Sequence, residues 1–187
     1  DQIDDYLGQF ASAQLQPDGF RDPLLKLLAT DDLDRLSDAE RQYLLTACFR
    51  CHHATMLAPF PRYQRLLELY ESLAREGDAA LSYLSGAYLA DLVTWYHLAW
   101  TGETVRRHEP LLAELMAKGE GYSLADRRQL LALIGKTIAA LVPRYRALQE
   151  RGQIEISSTP ASHPLAPLLL DFHAARESLP DAPLPLA

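Results

Sequence analysis

The chain has 187 residues, of which 48% are hydrophobic, and its 25 acidic and 18 basic side chains give a net charge of −7. This length allows one domain with a real core. The acidic balance argues against a nucleic-acid-binding protein, because no basic stripe is present to neutralise phosphates. No run of 18 apolar residues predicts a membrane span. Two cysteines are too few for a disulfide scaffold, so the expected setting is the cytoplasm.

The first third of the chain is predicted to form helices. Apolar residues with helical spacing predict a first helix over the opening ten residues. Asp22-Pro23 predicts the start of a short helix, since proline is favoured in the first turn. Ser37 and Glu40 have the spacing of a capping box, which predicts a helix to about Met56.

Further helices are predicted between clear stop signals. Pro61 is expected to begin a helix that Gly77 ends. The next helix is expected to run from a cap at Asp78 to about Trp100, and another to cover roughly 104–118. Ser123 should cap the longest helix, which reaches about residue 151.

The pattern changes at Gly152. Ile154 and Ile156 alternate with polar residues, which predicts a short strand over 152–156. A single strand leaves its backbone groups unpaired. We therefore expect it to pair either with an identical chain or with strands of a larger sheet outside these 187 residues.

Polar residues follow this strand, at the place where α/β barrels position their active sites. Glu155, His163 and Asp171 are the first candidates. His163 precedes a proline and is therefore expected in an extended loop. Each of them could also be an ordinary surface residue or a residue that bonds only to local backbone.

The same stretch resembles a known family. The run Gly-Gln-Ile-Glu at 152–155, followed by His163-Pro164, is similar to the second conserved segment of glycoside hydrolase family 57, the retaining α-glucan hydrolases and transferases. Two upstream runs resemble the same family in the same order, namely Ala-Pro-Phe-Pro-Arg-Tyr at 58–63 and Trp-Tyr-His-Leu-Ala-Trp at 95–100. The family normally has an aromatic pair where Ala161 and Ser162 stand, and asparagine where His97 stands.

The resemblance implies a role for five residues as substrate-binding groups for an α-glucan or maltooligosaccharide: Gln153, Glu155, His163, Arg62 and Trp95. It implies no cofactor and no metal. For Trp95 the simpler interpretation is a buried core residue, which is the usual position of a helical tryptophan.

Retaining glycoside hydrolysis needs two carboxyl groups roughly 5 Å apart. The family contexts of the nucleophilic glutamate and of the acid/base aspartate do not occur here, so no catalytic residue is assigned. The fold expected from the resemblance is mainly α-helical with one short strand, an excised part of a (β/α)7 barrel. It would form a single domain over 1–187, with a helical region at 1–151 and a strand plus cleft loop at 152–187. The start without methionine and the proline-rich end also suggest a piece of a longer protein, whose remaining barrel would be its partner.

Two alternatives remain open at this stage. The apolar helical stripes could make a homo-oligomer interface in an interaction module without catalysis. The run Cys48-Phe-Arg-Cys51-His52 matches the c-type haem attachment pattern and could also supply zinc ligands. We expect these cysteines to be incidental, since further ligands and an export signal are not evident.

Overall fold

The computed structural model describes residues 2–157 and 165–184. The chain divides into two compact units, Asp1–Val142 and Pro143–Ala187. Within the described residues there are helices and turns but no strand. No helix in this part of the chain is both long enough and apolar enough to cross a membrane.

Eleven α-helices are found in the described residues. In chain order they are α1 (Gln2–Ala13), α2 (Pro23–Ala29), α3 (Asp38–Cys48), α4 (His53–Met56), α5 (Pro61–Arg75), α6 (Gly86–Trp100), α7 (Glu103–His108), α8 (Pro110–Lys118), α9 (Leu124–Glu150), α10 (Ala166–Leu170) and α11 (Ala175–Ser178). Short 3₁₀ segments lie between some of them. The mainly helical prediction is confirmed.

Helix ends with explicit capping chemistry were predicted correctly. The Asp22 carboxylate accepts the N–H groups of the first turn of α2, and Ser37 with Glu40 forms a complete capping box at α3. Ser123 Oγ accepts the N–H of Asp126, whose carboxylate accepts the Ser123 N–H in return. These local bonds need no tertiary partner, which is why the sequence reveals them.

Three predicted helix spans differ from the structure. The helix expected to reach Met56 stops at Cys48, where Phe49 leaves the helix and stacks on Tyr63 and Tyr70, with ring centroids 6.0 and 5.3 Å away. The helix expected over 104–118 is divided by Pro110, because the residue before a proline is pushed into an extended conformation.

The third difference concerns the start of α6. Residues Asp78–Tyr83 form a separate 3₁₀ helix, and Ser85 is the N-cap of α6. Gly86 then passes so close to Asp34 that a Cβ atom would lie 2.7 Å from its backbone nitrogen. The Asp34 carboxylate accepts the Gly86 N–H. Only glycine fits this approach without displacement of the backbone.

The predicted strand at 152–156 is wrong, since residues 153–157 have no regular structure. Gly152 does end the long helix, with a φ of 65°. The N–H of Gly152 donates to Gln149 O and that of Gln153 to Leu148 O, which is the Schellman pattern of bonds. A strand needs a neighbouring strand to pair with its backbone, and the described residues contain none.

The core of the first unit surrounds α6. Ten of its fifteen residues are buried, including Leu89, Leu92, Val93 and Leu98, which are fully buried. Helices α2, α3 and α5 contact α6 directly. A helix that is apolar on most of its surface is expected to lie inside a domain.

Arg127 at the start of α9 is the principal buried charge in the first unit, with 3% of its surface exposed. Its guanidinium donates to the carbonyl oxygens of Leu28, in the last turn of α2, and of Thr30 and Asp31, just after it. Cations are favoured at helix C-termini, where carbonyl groups lack helical partners. Arg127 therefore ties the first part of α9 to the end of α2.

We predict that Arg127→Met lowers the free energy of unfolding by about 3 kcal/mol, since three carbonyl groups lose a charged donor in a buried place. Urea denaturation followed by circular dichroism measures this change. Arg75→Met, at the exposed end of α5, is the matched control and should cost less than about 0.5 kcal/mol. Equal losses in the two variants would contradict the assigned role of Arg127.

Candidate functional site

Trp95, one of the predicted substrate-binding residues, lies in the middle of α6 with 3% of its surface exposed. Its indole N–H donates to the Gly119 carbonyl oxygen at 2.8 Å. Its ring stacks on Tyr63 with centroids 6.3 Å apart, and Phe60 packs at 5.7 Å. A sugar could reach this ring only after the surrounding packing had changed.

Arg62, in the first turn of α5, is more than half exposed. Its Nη1 donates to Glu120 Oε2 at 2.8 Å, and its stem passes next to Gly119, where an added Cβ would lie 3.2 Å from Arg62 Cγ. Gly119 has a φ of 77° and ends α8. Arg62 and Trp95 therefore both contact the loop 119–122, although they come from different helices.

The loop 119–122 is held in place by Asp91 on α6. The two carboxylate oxygens accept the N–H groups of Gly121 and Tyr122, at 3.0 and 2.9 Å. Burial raises the pKa of Asp91, while the two backbone N–H groups act in the opposite direction. No local sequence pattern predicts this contact, because the partners are 30 and 31 residues apart.

Gln153 and Glu155 lie in the second unit, in the irregular segment that follows α9. Both are exposed, whereas Ile154 between them is partly buried. The side chains of this pair are therefore open to solvent and free of the packing that covers Trp95.

Of the remaining candidates, His163 lies outside the described residues. Asp171 is exposed. Its Oδ1 accepts the backbone N–H of His173 at 2.9 Å and lies 2.8 Å from the Nδ1 atom of the same histidine. The backbone hydrogen bond from His173 has the larger effect, and together with the side-chain bond it lowers the pKa of Asp171. Asp171 thus acts as the N-cap of a short 3₁₀ helix over Phe172–Ala174.

The two cysteines lie at the break between α3 and α4. Cys48 is the last residue of α3 and fully buried, and burial raises its pKa. Cys51 is partly buried, and burial raises its pKa as well. His52 Nδ1 bonds to Thr55. Both thiols are free, and no group of three potential ligands that could hold a metal ion is found among the described residues.

One feature of the first unit was missed by the sequence predictions. The end of α6, α7 and the first half of α9 form a groove of about 260 Å³, which we call the α6–α9 groove. His97 lines it and is partly buried, with its Nε2 3.4 Å from Leu24 O. Burial lowers the pKa of His97 to about 4, against smaller opposite effects of Leu24 O and Asp22. The imidazole is therefore neutral at pH 7.

The fold and the exposed candidate residues define a mainly helical protein that presents polar side chains, among them Gln153, Glu155 and Arg62, to solvent. Residues 9–181 match the sequence model of glycosyl hydrolase family 57, and the chain belongs to this family. The resemblance seen in the sequence is thus confirmed. A search of curated proteins and a search of solved structures returned no significant match to this chain.

We predict that the free energy of unfolding decreases at acidic pH because the unfolded chain protonates His97 more readily than the folded chain does. Its pKa in the folded state, about 4, lies below the unfolded value of 6.5, so the unfolded chain binds the proton more readily between these values. The contribution of neutral His97 is present above pH 6.5 and is lost as the pH falls towards 4. After allowance for the exposed part of the ring, the loss is about 2 kcal/mol.

The measurement compares the free energy of unfolding of His97→Asn with that of the wild type at pH 7.5 and pH 4.5. The wild type should lose more stability than the variant on acidification. His108→Gln replaces an exposed histidine and should follow the wild type. Parallel curves for the wild type and His97→Asn would show that His97 does not titrate as described.

Proposed function

We propose that this chain supplies part of the substrate-binding cleft of a retaining α-glucan hydrolase or glucanotransferase. The family match over residues 9–181 is the observation that carries this proposal. It includes the segment that contains Gln153 and Glu155, whose side chains are open to solvent. A carboxylate accepts hydrogen bonds from sugar hydroxyls, and an amide both accepts and donates them.

The role proposed for Arg62 is at the rim of the cleft. Its guanidinium has five N–H donors. One of them, on Nη1, pairs with Glu120 in an exposed contact. Exposed ion pairs contribute little to stability, so a ligand hydroxyl could replace Glu120 at small cost. His163 is assigned to the same cleft through the family motif alone.

The chain is proposed to lack the catalytic pair. A retaining mechanism needs a carboxylate nucleophile and a carboxylic acid roughly 5 Å apart, and neither family context occurs in the sequence. In this proposal the rest of a barrel supplies both groups.

We predict that the purified chain binds maltoheptaose without cleaving it, and that Glu155→Gln weakens binding about tenfold through the loss of a charged acceptor. Isothermal titration calorimetry measures the affinity, and an assay for new reducing ends measures cleavage. Glu71→Gln, at an exposed position of α5, is the matched control and should bind like the wild type.

Two results would overturn the proposal. Unchanged affinity of Glu155→Gln would remove Glu155 from the cleft. Turnover of maltoheptaose that Glu155→Gln abolishes would mean that the catalytic pair lies within these 187 residues.

A further inference from the structure

The α6–α9 groove has apolar walls and an aromatic residue at its edge. Its apolar lining comes from two helices: Val105 of α7 and Leu130, Leu133, Ile134 and Ile138 of α9. Trp100, the last residue of α6, also lines it and is 52% exposed. An exposed indole beside an apolar groove offers a ligand a ring to stack on and aliphatic side chains to contact.

The ring of Trp100 is supported from one side. Tyr96 lies one turn earlier on α6, and the two ring centroids are 5.7 Å apart at an interplanar angle of 42°. Tyr96 itself is partly buried and packs against the core. This contact limits the orientations of the indole while half of its surface stays open to solvent.

The polar groups in the groove are acceptors. Thr101 Oγ1 donates to His97 O and Thr137 Oγ1 donates to Leu133 O, both at 2.8 Å. Each hydroxyl has one proton, which these bonds use, so that the lone pairs of its oxygen remain available. None of the ten described residues that line the groove carries a charge at neutral pH.

These features select the ligand by its chemistry. It must be uncharged, because no counter-ion faces it and burial of an unpaired charge is costly. It must offer O–H donors to Thr101 and Thr137 and apolar C–H faces to Trp100 and the aliphatic walls. A hexose ring has both, with hydroxyl groups around its edge and C–H groups on its faces.

We infer that the α6–α9 groove is a second carbohydrate site, in which a glucosyl ring of an α-glucan stacks on Trp100. The choice of an α-glucan rests on the proposed function, whereas the site shares no residue with Gln153, Glu155 or Arg62. Every residue of the groove lies in the first unit. A glucan chain held here is retained by the protein independently of the cleft.

The two tryptophans of the chain make a direct test possible, since Trp95 is buried and Trp100 exposed. Acrylamide quenching of the fluorescence reports mainly on Trp100. Saturation with maltotriose should reduce the quenching constant and shift the emission to shorter wavelength. Glu155→Gln should keep this protection, which separates failure of the second site from failure of the cleft.

Calorimetry with maltotriose, on variants that also carry Glu155→Gln so that the cleft contributes little, gives the affinity of the groove. Trp100→Ala should abolish the protection and weaken this binding about tenfold, and Thr137→Val, which keeps the shape of the side chain, should weaken it several-fold. Tyr83→Ala, at an isolated aromatic residue that is 82% exposed, is the matched control. Circular dichroism checks that each variant is folded.

Three outcomes would overturn the inference. One is unchanged quenching at saturating maltotriose. Another is protection by cyclohexanol but not by maltotriose, which would make the groove a site for apolar molecules. The third is equal affinity of Trp100→Ala and Tyr83→Ala.

Discussion

The burial of α6 is the constraint on which the first unit depends. A helix inside a domain satisfies its own backbone, but each polar side chain on it needs a partner. On α6, the Thr94 hydroxyl bonds to Ala90 O, the Trp95 indole to Gly119 O and the His97 imidazole to Leu24 O. The last two bonds each reach a different segment of the chain. The positions of α2 and of the loop 119–122 thus follow from the polar groups of one apolar helix.

The same constraint gives the two tryptophans different environments. Trp95 and Trp100 are five residues apart, which at 3.6 residues per turn places them about 140° apart around the helix axis. α6 is surrounded by neighbours in its middle and open at its C-terminal end, where Thr101 leaves the helix. The first ring is therefore covered and the second is exposed. Of the two, Trp100 has the surface that a ligand can contact.

Helix caps could be predicted from the sequence, whereas contacts between distant segments could not. The caps at Asp22, Ser37 and Ser123 follow from side chains that bond to nearby N–H groups. The break at Phe49 follows from the stacking of its ring on Tyr63 and Tyr70, partners that are not local. The strand at 152–156 was predicted from alternation alone, but a strand forms only where another strand can pair with it.

The candidate site shows the same division. The sequence motifs named Arg62 and Trp95, and the family to which they pointed is confirmed. Their common contact with the loop 119–122 could not be predicted, because Glu120 and Gly119 are 58 and 24 residues away from them. The α6–α9 groove was missed because it combines a helix end, a turn and a distant helix. The only sequence feature that pointed to the groove was the presence of His97 and Trp100 in the run 95–100.

The charge of the protein bears on how an uncharged substrate is recognised. A net charge of −7 repels polyanions, but it neither attracts nor repels a neutral glucan. Such a ligand gains no long-range electrostatic steering, so its affinity depends on short-range contacts, namely hydrogen bonds to hydroxyl groups and stacking on exposed rings. In the proposed cleft Gln153 and Glu155 would offer the first kind of contact, and in the inferred groove site Trp100 would offer the second. Because such contacts are individually weak, a glucan is held best where several of them act on it at once.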